Sequence, residues 1–211
     1  MDAITFRKYQ MKDLAYCAKF AAQAWSMLSN VLLTNDINKL MRAYIKLGYY
    51  GATWHQVATI SGEIVGFLFG RIEKDVSLLK TITSSLSSLF VLLKVLLGRY
   101  GRLKQPVLFI KKYLETESLV QANSPKTDAE IVLFAVSSKH QGMGLGRALM
   151  HRFLTTARKL QVRKIKVYTD PLSNWKFYEI MGFQKHASFT DTFNSHIERK
   201  NSEGYVYVYH F

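Results

Sequence analysis

The chain has 211 residues, 48% hydrophobic, 13% aromatic and 21% charged, with three prolines. That composition excludes collagen-like, low-complexity and disordered classes, and one domain of this length buries roughly 70% of the surface its unfolded chain exposes. Cys17 is the only cysteine, which excludes an intrachain disulfide and with it a disulfide-stapled secreted fold. Lys and Arg number 29 against 15 Asp and Glu, a net charge of +14. Such a field favours nucleic acid, an acidic membrane face or a polyanionic small molecule. No long basic run and no aromatic–basic interleaving accompanies it, so nucleic acid ranks low among these. The stretch Met1 to Arg7 lacks the apolar core of a signal peptide, and the expectation is a globular cytoplasmic protein.

Ile4 to Arg7 alternates like a strand, and Leu14, Cys17, Ala18, Ala21, Trp25 and Leu28 then recur at helical spacing. A second helix is predicted over Ile37 to Leu47, ending at Gly48. Gln56 to Ile60 and Ile64 to Arg71 read as a hairpin around Ser61-Gly62-Glu63. Residues 75–128 then look like two helices, Val76 to Leu97 and Val107 to Val120, broken at Gly98 and Gly101 and closed by a polar loop. The uncharged stretch Thr81 to Leu93 is shorter than the roughly 20 apolar residues of a membrane-spanning helix. A buried or partner-facing helix, and no membrane partner, is therefore expected.

From Ala129 the pattern becomes strand, loop, helix, strand. Ile131 to Val136 is a continuous apolar run, as in a strand covered on both faces. Leu145, Leu149, Met150, Phe153, Leu154 and Ala157 form one stripe of the next helix. Val162 to Thr169 is a strand, Asn174 to Met181 a short helix stopped by Gly182, and Phe183–Phe189 with Tyr205–Phe211 a closing pair of strands. No repeat or linker interrupts this order, so residues 1–211 are expected to form a single mixed α/β domain.

The segment Gln141-Gly142-Met143-Gly144-Leu145-Gly146-Arg147 joins the apolar strand to its helix. Its glycines let the backbone turn tightly and present N–H groups, beside a helix N-terminus, to a phosphate or pyrophosphate. A tight connection without a ligand is the alternative. Gly146 is followed by Arg147-Ala148, not Lys-Ser/Thr, which excludes a nucleoside-triphosphate loop. The glycine spacing also fails the dinucleotide pattern G-x-G-x-x-G. No His-Glu-x-x-His or paired thiolate suggests a metal, and no Gly-x-Ser-x-Gly turn suggests a serine nucleophile.

What the segment does fit is Gln-x-x-Gly-x-Gly, at Gln141, Gly144 and Gly146. Together with Asn174, Phe177-Tyr178 and Gly182-Phe183 downstream, it resembles the GCN5-related N-acetyltransferase superfamily. The resemblance implies a mostly antiparallel sheet splayed around an acetyl-CoA site and flanked by helices, with residues 75–128 as a helical insertion. It implies acetyl transfer to a primary amine of a small molecule or a peptide or protein, by direct attack in a ternary complex. Acetyl-CoA is the cosubstrate and no metal is required.

Carried over, the cofactor arm would pair with Phe134, Ala135 and Val136, and a backbone N–H, that of Val136, would polarise the thioester. The N–H groups of Gly142 to Arg147 would hold the pyrophosphate, with Arg147 adding charge or standing as a solvated surface residue. Asn174 would bind the arm, or cap the short helix. Tyr178 would protonate the leaving thiolate, or simply pack between Phe177 and Phe183. Glu130, at the start of the apolar strand, matches the base-bearing position of histone-type members, against the reading of a surface glutamate. His140 reads as a solvated loop residue or an auxiliary phosphate contact. The insertion would lid the acceptor pocket, or present Leu86, Leu89, Leu93 and Leu96 as a homodimer interface. The alternative to an enzyme is a catalytically inactive acyl-CoA-binding regulatory module.

Overall fold

The computed structural model describes residues 3–34 and 36–211; Met1 and Asp2 of the N-terminal stretch lie outside them. The elements run β1 (Ile4–Lys8), α1 (Leu14–Ala24), α2 (Ile37–Gly51), β2 (Trp54–Ile60), β3 (Glu63–Ile72), α3 (Leu78–Leu96), α4 (Pro106–Ala122), β4 (Ala129–Val136), α5 (Leu145–Lys159), β5 (Lys164–Thr169), α6 (Lys176–Ile180), β6 (Gln184–Thr190), α7 (Thr192–Glu198) and β7 (Glu203–His210). The strands form a seven-stranded sheet ordered β1-β2-β3-β4-β5-β7-β6. Among the described residues only β4 and β5 pair in parallel. This is the mixed, mostly antiparallel α/β architecture expected from the sequence.

The β2–β3 turn is tighter than predicted. Ser61 and Gly62 both take positive φ, and Glu63 already pairs with Ile60, as a two-residue turn matched to strand twist requires. Helix α7 was not anticipated between the closing strands. Its signal is Asp191, whose carboxylate accepts the free N–H groups of Phe193 (2.9 Å) and Asn194 (3.1 Å). The predicted insertion helices are present. Ser77 caps α3 by accepting the Lys80 N–H at 3.2 Å, and Pro106 occupies the first turn of α4, where its missing N–H costs nothing.

Each face of the sheet carries its own core. Helices α1 and α2 cover Val57, Phe67, Phe69, Leu133 and Ala135 on one side. The apolar stripe of α5 covers Val65, Leu68, Ile72, Ala129, Ile131 and Ile165 on the other. Leu133 and Ala135 therefore face opposite to Ala129 and Ile131, although an unbroken strand keeps residues two apart on one face. The register explains the reversal: Phe69 sits opposite Leu133 and Gly70 opposite Ile131, leaving Val132 as an extra residue in β4. Such a bulge bends the strand and raises its twist.

Helix α3 is not buried as one of the expectations held. Val91 and Val95 anchor it, while Leu79, Ile82, Leu86, Leu89, Leu93 and Leu96 all stand exposed. With 19 residues and a mean hydropathy of 1.4 it is long and apolar enough to cross a bilayer, by length and composition alone. Its Ser88 and Leu92 instead point toward a cavity beneath the sheet. The cavity-facing residues and the exposed leucines thus lie on opposite faces of one helix.

Close approach of α5 to the sheet depends on Gly70, where an added Cβ would fall 2.2 Å from the Phe153 ring. Phe153 is fully buried and has no free space to retreat into. Gly70→Ala is expected to destabilise the fold by about 2 kcal/mol through overpacking. A urea titration reads this as a lowered midpoint, and an unchanged midpoint would refute the packing account.

Candidate active site

Pairing between β4 and β5 runs from Ala129–Ile165 to Ile131–Val167 and stops there. Beyond the bulge the strands diverge, and a cleft of about 880 Å³ opens between them. Phe134, Ala135 and Val136 form one wall, and Tyr168 and Thr169 the other. The Ser137 N–H donates to the Val65 carbonyl of β3 at 2.8 Å. Strand N–H groups alternate between edges, so those of Val136 and Phe134 point away from β3 and into the gap.

The glycine loop closes one end of the cleft. Gly142 and Gly144 have φ of +82° and +77°, which L side chains adopt only at a cost, and nothing lies within 4 Å of the Cβ position at either. The backbone N–H groups of residues 142–147 donate to no protein acceptor among the described residues. They surround the N-terminus of α5, whose dipole adds positive potential. Gly146 allows this terminus to approach the Phe134 and Phe177 rings, 3.3 and 3.5 Å from where a Cβ would sit. The loop thus has both the shape and the donors for a pyrophosphate.

Gln141, Gly142, Gly144, Leu145, Gly146 and Arg147 line the cleft. Met143 does not; its side chain is exposed, and only its backbone belongs to the cradle. Arg147 is exposed on the cleft rim. His140 is half-buried in the wall rather than solvated, and its Nδ1 is buried without a partner.

Asn174 lines the cleft as well, and the cap of α6 is Trp175, with no side-chain capping bond. The capping alternative for Asn174 is therefore not seen. The preceding turn is held by Asp170, which accepts the N–H groups of Leu172 (2.8 Å) and Ser173 (3.0 Å) and the Ser173 hydroxyl (2.9 Å). Tyr178 is buried against Phe177, Phe183 and Tyr207 and also lines the cleft. The packing between Phe177 and Phe183 is present, and it leaves the residue in the cleft wall. Its hydroxyl has no hydrogen-bond partner among the described residues, and burial pushes its pKa well up, so it stays protonated across the working pH range.

Glu130 lies elsewhere. It does not line the cleft but a neighbouring cavity of about 390 Å³ on the α2 and α4 side of the sheet. Its Oε2 is 3.6 Å from Lys166 Nζ. Burial raises its pKa, and the Lys166 charge works against that rise. The two cavities share Trp25, Tyr44, Val132, Tyr168 and Asp170, so they meet at the bulge. The second cavity also holds Glu117, from α4, which the sequence did not single out. Glu117 sits in a helix with no motif around it; only the folding of the insertion brings it within reach of β4. Among the described residues no group of three or more His, Cys, Asp and Glu side chains could hold a metal ion.

A cleft between diverging strands, walled by a free strand edge and ended by a glycine cradle, suits a long ligand carrying a pyrophosphate. The family model described as "Acetyltransferase (GNAT) family" matches residues 25–183. No curated protein matches the chain. Among solved structures, PH1933 from Pyrococcus horikoshii is similar at 17% identity and a TM-score of 0.60, covering 99% of both chains. Ard1 from Thermoplasma volcanium is similar at 18% identity and 0.56, covering 99% of this chain and 97% of its own. PaiA N-acetyltransferase from Thermoplasma acidophilum, in complex with coenzyme A, is similar at 11% identity and 0.54, covering 99% of both. Such identities show a shared fold, while the family match spans most of the sequence: the chain belongs to the GNAT acetyltransferase family.

Proposed function

We propose that the protein transfers the acetyl group of acetyl-CoA to a primary amine by direct attack in a ternary complex. The observation that carries this reading is the convergence of three features on one cleft. These are the unpaired N–H cradle at residues 142–147, the free β4 edge at Phe134–Val136, and the partnerless hydroxyl of Tyr178. The cradle and Arg147 hold the pyrophosphate, and Gln141 and Asn174 flank the arm. The Val136 N–H, fixed by the strand, hydrogen-bonds the thioester oxygen and stabilises its developing charge. Tyr178 donates its proton to the departing sulfur. Glu130, the base candidate that the family resemblance suggests, lies in the adjoining cavity with its carboxylate 3.6 Å from Lys166 Nζ.

Calorimetry with acetyl-CoA tests the cofactor site. Wild type should bind in the micromolar range, and Gly144→Glu should lose binding by placing a negative charge in the cradle. That variant also forces a side chain into a left-handed conformation at a cost of about 1 kcal/mol, so its melting curve must show a folded protein. No binding by folded wild type would overturn the reading.

Tyr178→Phe keeps the ring packing and removes the proton donor. It should lower kcat by about 10²-fold, the range of a lost general acid, with acetyl-CoA affinity nearly unchanged. Acetyl-CoA binding without turnover of any amine, in wild type and variant alike, would instead identify a coenzyme-sensing module.

A further inference from the structure

The carboxylates of the second cavity are not equivalent. Asp170 is occupied by the turn it holds. Glu130 faces Lys166, whose ammonium also donates to Gln121 Oε1 at 3.0 Å. Arg71, on the same wall, is taken by Glu73 through contacts of 2.8 and 3.3 Å. Glu117 has no ion-pair partner among the described residues. It is an exposed residue of α4 that borders the cavity beside Tyr113 and Leu114 of its own helix, with β4 forming the opposite wall. Tyr44, from α2, lines both cavities, and its hydroxyl likewise has no protein partner among the described residues.

Helices α3 and α4 form a wall of this cavity with Ser88, Leu92, Tyr113 and Glu117. A space of about 390 Å³ holds a compact molecule and not a length of polypeptide. Its unneutralised carboxylate attracts a cation. We infer that the cavity is an acceptor chamber for a compact aliphatic amine, and that Glu117 takes the proton from its ammonium. This rests on the acetyl-transfer reading above.

The charged and titratable groups facing Glu117 are Tyr113 on α4, Tyr44 on α2, Arg71 on β3, Glu130 on β4, Lys166, Tyr168 and Asp170 at β5, and Asp191 before α7. Burial first, then the charge of Glu130, push the Glu117 carboxyl up to about 7, against the opposing pull of Tyr113 and Lys166. A carboxylate of that basicity takes a proton from an ammonium held beside it. The neutral amine nitrogen then bonds to the thioester carbon and the carbon–sulfur bond breaks. The sulfur receives the Tyr178 proton, the amide nitrogen returns one to Tyr178, and Glu117 releases its own to solvent.

The test uses 1,4-diaminobutane as the compact probe and an Ala-Ala-Ala tripeptide as the polypeptide N-terminus. Wild type should acetylate the diamine in preference, with kcat/KM rising through about pH 7 and then levelling. Glu117→Gln should lower kcat by about 10²-fold, remove the break near pH 7 and leave acetyl-CoA binding intact. Without coenzyme, carbon NMR of labelled glutamate should show a carboxyl titrating near 7. That carboxyl should be missing in Glu117→Gln, and its midpoint should move down when the diamine binds.

An unchanged pH profile in Glu117→Gln, or loss of the break in Glu130→Gln alone, would overturn the assignment to Glu117 while acetyl transfer stood. Preference for the tripeptide would overturn the chamber's selectivity. Failure of wild type to bind acetyl-CoA would overturn both this inference and the reading beneath it.

Discussion

Strand β4 carries one residue more than the stretch of β3 beside it, and the surplus at Val132 shapes the whole site. Up to Ile131 the strand is an ordinary inner member of the sheet, bonded to β3 and β5. Past Val132 its side-chain phase reverses and its contact with β5 ends. Backbone N–H groups in a sheet interior are normally paired, because an unpaired buried donor is costly. Here the strand keeps its β3 partner and leaves its other edge open, with the cleft giving those donors access to solvent or ligand. The same bend makes room on the opposite face, where the chamber containing Glu117 and Glu130 lies. One local departure from pairing therefore creates two cavities that meet at the same residue.

The insertion is fastened to this core by a buried carboxylate. Asp191 is fully buried and accepts hydrogen bonds from Thr116 of α4 at 2.7 Å, from the Tyr168 hydroxyl of β5, and from two N–H groups at the start of α7. Thr116 is one residue from Glu117, so the bond that pins α4 also fixes which face of that helix looks into the chamber. A buried carboxylate with this many donors is satisfied, and removing any one partner would leave a costly imbalance. Helix α7 and the chamber wall therefore share a single anchor.

Much of this was legible in the sequence because it is local. Alternating and 3.6-residue patterns marked nearly every element, and the glycines at 142, 144 and 146 announced a strand-to-helix turn with exposed N–H groups. Tyr178 could be placed because it lies in a short motif. Other features depend on pairs far apart in the chain. The bulge is a property of register between β3 and β4, and Val132 looks like any other residue of an apolar run. Helix α7 is seven residues long and offers only Asp191 as a start signal, whose partners Thr116 and Tyr168 are distant in sequence. Glu117 has no local pattern at all. Glu130 was visible at a strand start, but its place behind the cleft, facing Lys166, follows from pairing with β5.

The charge of the molecule and the charge of the chamber have opposite signs, and distance reconciles them. A net +14 draws a polyanion such as acetyl-CoA from afar and repels a cationic acceptor of the kind proposed. That repulsion fades over a Debye length of about 8 Å at physiological ionic strength. Inside the chamber a carboxylate about 4 Å from an ammonium acts through a far lower effective dielectric, where the attraction is on the order of several kcal/mol before desolvation is subtracted. In the proposed reading the surface field governs how fast each substrate arrives, and the carboxylates lining the cavity govern which one stays. Lys166 fits this division. By facing Glu130 it leaves Glu117, which has no ion-pair partner among the described residues, as the carboxylate free for the proposed cation.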